Sequence, residues 1–309
     1  MICIQDLLEQ RISDLMAWSP YNFIRDVNSS LLVKTSVIDP LLKDLNDGCI
    51  QIKEINIGST SNFFLFKKLE WDTDYFGFPV YNIRMIAYDH NDVFILNEAI
   101  KEFFLSVIRK AEYWFINIPA DDILLVQGLC NTPFKLVETR LSYYLADICN
   151  FESDRFPVRK AGIADKDDLR RVAIKMRNNY DRVHADPAFS TEQADEYLGT
   201  FIEESLKGFA DYVLVPDTGS VKPFGFLAAN KPIEILERKI SKLVLTAVDS
   251  SVQKGWLFRL LTEMIYLVKN EGADYMTTVT QAANKPAVAI WEKAGFRLNS
   301  VSHIFSIKL

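Results

Sequence analysis

Over the second half of the chain, the spacing of apolar residues changes period in a definite order. "PVRKA" (157–161) alternates and predicts a short strand. "DKDDLRRVAIKMRNNY" (165–180) places Leu169, Val172, Ala173 and Met176 at helical spacing behind a run of acids, which predicts a helix. "FSTEQADEYLGTFIEESLKG" (189–208) predicts a second helix, with Ser190 or Thr191 as its cap and a glycine as its stop. "DYVLVPD", "KPFGFLAAN" and "ERKISKLVLTAVD" predict three strands, the first two joined by the turn-rich "DTGSV" (217–221). A helix from about Gly255 to Lys269, a strand "DYMTTVT", a helix within "NKPAVAIWEKAGFRL" (284–298) and a final run "SVSHIFSIKL" complete the series. The order predicts an α/β (α+β) unit with helices packed on a mixed, mostly antiparallel sheet.

The first half carries an echo of this order. An offset of 162 residues carries Phe134 onto Phe296, Lys135 onto Arg297, Leu136 onto Leu298 and Asp122 onto Asn284. It also lays "KAEYWFINI" (110–118) over "GADYMTTVT" (272–280) without a gap. The chain therefore reads as two related halves, the first degenerate, with chance similarity as the alternative. The polar, proline-bearing stretch "CNFESDRFPVRKAG" (149–162) is the best boundary, giving domains of residues 1–150 and 151–309. A length of 309 residues suits that division.

Composition narrows the function classes. Apolar residues make up 49% and charged residues 25%, as in an ordinary globular protein, and the net charge is −6. Such a chain is not built to hold nucleic acid by bulk attraction, although local groups can still hold small anions. The opening "MICIQDLLEQRISDLMAW" has charges inside its apolar run, which argues against a signal peptide, and no uncharged run is long enough to span a bilayer. Cys3, Cys49, Cys130 and Cys149 are scattered, and the histidines are His90, His184 and His303. No metal site is expected from that set, and a reducing cytoplasm is the simplest location.

One segment carries a chemical signal. "LTAVDSSVQKGWLFRLLTEMI" (245–265) is a strand, a loop with Gly255, then an amphipathic helix. A helix N-terminus offers unpaired N–H groups and a positive dipole end, a site for phosphate. Gly255 lets the backbone approach an anion closely, and Lys254 adds charge. One glycine before a helix is also common in purely structural settings.

Together with the strand and Asn-led helix ending in "EKAGF" that follow, this order resembles the GCN5-related N-acetyltransferase superfamily. The resemblance implies that loop amides cradle the pyrophosphate of coenzyme A, at Gln253, Lys254, Gly255, Trp256 and Leu257. The family pattern there is Arg/Gln-x-x-Gly-x-Gly/Ala; this chain keeps the central glycine but has Val252 and Leu257 at the flanking places. The resemblance further implies that the backbone of Leu245, Thr246, Ala247 and Val248 pairs with pantetheine, and that Asn284 caps the next helix, bonds pantetheine, or both. "LEWDTDYFGFPVYNI" (69–83) and "RNNYDRVHADPAFSTEQADEYLGTFIEESLKG" (177–208) are similar to dTDP-fucosamine acetyltransferases. That likeness implies acetyl-CoA or a larger acyl-CoA as co-substrate, a dTDP-linked amino sugar as acceptor and surface-polysaccharide assembly as destination, and it leaves room for a homodimer.

Residue roles follow as expectations. The superfamily has a tyrosine that protonates the leaving thiolate; seven places after Asn284 this chain has Trp291. Indole N–H donates a hydrogen bond but yields no proton at neutral pH, so Trp291 holds the sulfur, walls the pocket or simply packs. His184, in "DRVHADP", is the candidate base by its near-neutral pKa, with Asp249, Asp186 or a water relay as alternatives. Arg177 and Arg182 are candidates for the sugar nucleotide's diphosphate, and Trp71, Tyr75 and Phe76 for base stacking; packing or surface pairing explains each equally well. Under the 162 offset Gly255 meets Val93, and an Asp lies in "DHNDVFILNEA" where an anion would sit, so the first half is expected to serve the acceptor rather than coenzyme A. An acyltransferase for another amine and a non-catalytic acyl-CoA-binding regulator remain as alternatives.

Overall fold

Residues 3–219 and 222–309 are described by a computed structural model. The chain divides into two compact units, one running up to Arg140 and including Ser300–Leu309, the other Leu141–Asn299. The expected division put the last ten residues with the second half; by contacts they belong to the first.

The first unit begins with α1 (Ile4–Gln10), α2 (Ser29–Val33) and α3 (Asp39–Asn46), followed by β1 (Gln51–Ile57) and β2 (Thr60–Lys68). Then come α4 (Glu70–Phe76), β3 (Val80–Tyr88), α5 (Val93–Val107), β4 (Tyr113–Pro119), α6 (Ile123–Cys130) and β5 (Lys135–Leu145), which crosses the unit boundary. β1, β2 and β3 are antiparallel neighbours, and β4 joins β3 in parallel. Residues 302–308 pair antiparallel with β4. Period-two alternation makes this a sandwich: Phe64 and Phe66 pack with α5 and α6, while Phe63 and Leu65 pack with α1 and α3. On β3 the alternation slips, because Leu65 faces Met85 and Phe66 faces Ile83, leaving Arg84 as an inserted residue.

The second unit continues with β6 (Val158–Lys160), α7 (Lys166–Lys175), α8 (Arg182–Ala185), α9 (Thr191–Glu204), β7 (Tyr212–Pro216), β8 (Gly225–Ile235) and β9 (Arg238–Val248). It closes with α10 (Trp256–Asn270), β10 (Tyr275–Gln281), α11 (Lys285–Lys293) and the start of β11 (Arg297–Lys308). β6 to β9 are antiparallel in turn, and β10 joins β9 in parallel. The sheet is mixed and mostly antiparallel with helices on both faces, as the apolar pattern predicts. Leu227 and Ala229 of β8 face α10 and α11, while Phe226 and Ala228 face α7 and α9.

Boundaries differ where local signals compete. The helix predicted over 165–180 stops at Lys175, and Asn178 instead makes a local turn, its side chain accepting from the Tyr180 N–H. The stretch 189–208 ends in a wider turn over Ser205–Phe209, where Gly208 takes φ 112°. Of the predicted 217–221 turn, residues 220 and 221 lie outside the described residues. β8 and β9 form a hairpin through Leu236 and Glu237, both at positive φ, in place of the usual Asn-Gly.

The 162 offset also relates element boundaries. It carries β4 onto β10, the start of α6 onto the start of α11, and the start of β5 onto the start of β11. The caps correspond: Asp122 accepts from the Leu125 N–H and Asn284 from the Ala287 N–H.

Candidate functional site

β9 and β10 run side by side only from Ile240↔Tyr275 to Lys242↔Thr277, although β9 continues to Val248 and β10 to Gln281. The cause lies one strand over. Ala229 of β8 faces Leu243 and Ala228 faces Leu245, so Val244 is an inserted residue that bends β9 away from its parallel neighbour. Beyond the bulge β9 keeps β8 on one edge, and backbone groups on its other edge are left for something besides a strand. A cavity of about 190 Å³ fills this divergence. Its walls are residues 243–246 of β9, 278–281 of β10, Asn284, Ala287 and Trp291 from the Asn-led helix, Leu198 of α9, and Asn178 and Asp181.

Past the cleft the chain enters the loop 249–255 and then α10. Gly255, the residue before that helix, takes φ 82° and provides no side-chain cap, and the first turn carries no acid. A Cβ at Gly255 would meet nothing within 4 Å. The positive end of this fifteen-residue helix is thus left without a side-chain cap. The matching helix of the first unit is built the opposite way: Asp92 caps α5, its carboxylate accepting from the Phe94 N–H at 2.7 Å and the Ile95 N–H at 3.3 Å.

No family model matches the chain, and no curated protein matches it. Solved structures do. A GCN5-related N-acetyltransferase from Sphaerobacter thermophilus is similar with a TM-score of 0.53 at 11% identity, over 97% of this chain and 95% of that one. The chain has the GCN5-related N-acetyltransferase fold. A functionally unknown conserved protein from Staphylococcus epidermidis matches with a TM-score of 0.53 at 11% identity, over 85% of this chain and 97% of that one. A Drosophila protein matches at 0.52 and 11%, over 97% and 96%. At these identities the likeness concerns the fold alone.

On this GCN5-related N-acetyltransferase fold the residues named from sequence separate into groups. Leu245, Thr246, Asn284 and Trp291 line the cleft. Ala247 is buried toward α7 and α9, and Val248 packs toward α10, so these two offer backbone only. Gln253, Lys254 and Gly255 are exposed on the loop, Trp256 is buried and Leu257 is half-buried. Trp291 is 2% exposed, and its indole N–H has no hydrogen-bond partner. A buried donor left unpaired costs about 1–3 kcal/mol, and the Trp256 indole N–H in the same core is unpaired as well.

The residues named for the acceptor are engaged in other ways. His184 has a buried ring whose Nδ1 lies 2.7 Å from Asp181 Oδ2 and whose Nε2 lies 3.2 Å from Asp195 Oδ1. Burial opposes the charged ring, but the two carboxylates outweigh it and raise its pKa. An imidazolium donating from both nitrogens has no lone pair with which to take a proton, so in this geometry His184 clamps α8 to α9. Arg177 pairs with Asp195 as well. Arg182 is buried, which takes it out of easy reach of a solvent-borne diphosphate. Trp71, Tyr75 and Phe76 belong to the first unit; Trp71 is 42% exposed and stacks on Tyr75 at 5.6 Å, while Phe76 is buried. Of the other base candidates, Asp249 donates nothing: it is held by Lys175 Nζ at 2.5 Å and by Ser251, which keep its carboxyl below the usual range. Asp186 is buried.

Asn178, Asp181, Thr278, Thr280 and Gln281 were not singled out from sequence, yet they line the cleft. The Asn178 amide donates to Gln281 Oε1 at 3.3 Å, tying the loop after α7 to the end of β10. Asp181 presents a carboxylate held by the Val183 and His184 N–H groups and by the His184 ring. Only its proximity to His184 in "DRVHADP" could have pointed to it. Among the described residues no helix is long and apolar enough to cross a membrane, and no group of three or more His, Cys, Asp or Glu could hold a metal ion.

The His184 clamp makes a signed prediction. The folded ring keeps its proton above the unfolded value of about 6.5. Its contribution to stability is therefore complete below that value and is lost as pH rises through the folded pKa. His90 and His303, whose pKa values burial lowers, work in the opposite direction. Urea midpoints measured from pH 6 to pH 9 should fall more steeply in the wild type than in His184→Gln. Equal slopes would show that the clamp carries no charge.

Proposed function

We propose that this chain is an N-acyltransferase that moves an acyl group from acyl-CoA to the amine of a nucleotide-linked amino sugar. The observation that carries it is the cleft between β9 and β10 together with an uncapped α10 N-terminus in the same unit, within this fold. The amides around Gly255–Leu257 receive the pyrophosphate, and the free edge of β9 over residues 245–248 receives the pantetheine arm as an added strand would. The thioester then lies beside Trp291. A cavity of about 190 Å³ favours acetyl or another short acyl chain over a fatty acyl chain.

Transfer needs a neutral amine next to the thioester. Its nitrogen attacks the carbonyl carbon, the C–N bond forms and the C–S bond breaks, and coenzyme A leaves as thiolate. The Trp291 N–H donates to the charge that develops on oxygen or sulfur and keeps its own proton. Asp181 holds the incoming ammonium at the mouth of the cleft, and water carries the released proton away. This replaces His184 as the group facing the amine. For the acceptor, the support is the sequence likeness of residues 69–83 and 177–208 to dTDP-fucosamine acetyltransferases.

A thiol-release assay tests the reading. Acetyl-CoA with dTDP-linked amino sugars should free coenzyme A only when both are present, and the corresponding hydroxy sugars should free none. Release with simple amines but no sugar nucleotide would reassign the acceptor. Tight acetyl-CoA binding without release for any amine would make the chain a binding protein.

A further inference from the structure

The first unit repeats the device that opens the cleft. β3 pairs with β4 only from Val80↔Tyr113 to Ile83↔Ile116, then diverges, and its inserted residue Arg84 stands at the divergence as Val244 does on β9. Here too a cavity fills the gap, of about 330 Å³. Its contents differ. The end where a coenzyme's phosphates would lie is closed: Asp92 occupies the helix head, Arg11 Nη1 donates to the Tyr88 carbonyl at 2.7 Å, and Asp122 accepts from the Tyr88 hydroxyl at 2.5 Å and the Trp18 indole at 3.3 Å. A diphosphate is thus excluded by two carboxylates, and the last carbonyl of the strand edge is already bonded.

What remains is a short pocket with one charged wall. Arg84, an exposed residue, is the charged side chain among its lining residues, and among the described residues it makes no hydrogen bond or ion pair. Asn117 of β4, also exposed, lines the same cavity with an amide that makes no side-chain hydrogen bond. Trp18, Val37, Leu41 and Met85 supply the apolar part of the lining. A guanidinium fork matches a carboxylate in geometry and charge, and the apolar lining matches a hydrocarbon or aromatic body. The volume sits at the small end of ligand pockets, roughly 300–1,000 Å³. We propose that the first unit holds a second binding site, for a small organic acid with an apolar body, in the place where the second unit opens its own cleft. This goes beyond the proposed transferase reaction and does not depend on it.

The test uses the full chain and isothermal titration with benzoate, hexanoate, phenyl phosphate and benzyl alcohol. Benzoate or hexanoate should bind saturably at one site per chain, with the neutral benzyl alcohol at least tenfold weaker. Arg84→Gln should weaken the acid at least tenfold and Arg84→Lys less, because a point charge keeps attraction but loses the fork. Gly255→Asp should leave this binding unchanged, which separates it from the second unit's cleft. Saturable binding by neither carboxylate, or full affinity in Arg84→Gln, overturns the site. Phenyl phosphate binding where benzoate does not overturns the carboxylate assignment. A loss of coenzyme A affinity in Arg84→Gln overturns the exclusion of the coenzyme from this unit.

Discussion

Gly255→Asp should weaken coenzyme A binding at least a hundredfold while leaving the fold in place. Gly255 precedes α10 where Asp92 precedes α5, so the substitution brings the first unit's carboxylate to the head of the second unit's helix, although on a left-handed backbone (φ 82°) rather than the extended one of Asp92 (φ −105°). A carboxylate there sets a negative charge where a pyrophosphate would sit. Two effects on stability oppose each other. A carboxylate at the positive helix end contributes about 0.3–1 kcal/mol, and an Asp at φ 82° costs about 1–2 kcal/mol. The melting temperature should therefore move by a few degrees at most, whereas a hundredfold loss in affinity is about 2.7 kcal/mol. Calorimetric titration with coenzyme A and a thermal melt on the same sample separate the two. Unchanged affinity in a folded variant would mean that the α10 head is not the phosphate site.

Trp291→Phe should slow acyl transfer about tenfold or more with little loss of stability. Removing the indole leaves a smaller ring in a core shared with Phe296, Leu260 and Met264, which costs packing. It also removes a buried N–H with no partner, which returns about 1–3 kcal/mol. The rate effect has no such offset if that N–H meets charge only in the transition state; kcat and kcat/KM then fall together. Trp291→Tyr puts back a donor, and one with a transferable proton, so its rate should match or exceed the wild type. Single-turnover thiol release measures all three. Equal rates in the wild type and Trp291→Phe would reduce Trp291 to a packing residue.

Much of the architecture was legible because it depends on period. Phe226–Ala229 of β8 alternate between two helical layers, and Leu169, Val172 and Ala173 recur at helical spacing, so strands and helices announce themselves locally. The offset of 162 residues was legible for the same reason: β4 and β10 keep matching patterns and Asp122 and Asn284 keep matching caps. The site was legible only in part. Gly255, Asn284 and Trp291 carry signals of residue type; Asn178, Asp181 and Gln281 are ordinary polar residues whose meaning comes from being brought to one cleft. His184 shows the converse. Its residue type suggested a base, and two carboxylates at its ring nitrogens turned it into a clamp.

From its sequence alone this chain specified its elements, their order, a repeated plan and a glycine-led helix without an acidic first turn, since each is set by neighbours within a turn or two. The tertiary structure decided where strands part. A bulge at Val244 and another at Arg84 depend on which residue of β8 or β2 stands opposite, and a one-residue slip leaves no mark in composition or period. It also decided where the chain's end goes: the last ten residues join the first unit, beside β4. Local spacing records that a strand exists; only the cross-strand hydrogen bonds settle which partner it takes.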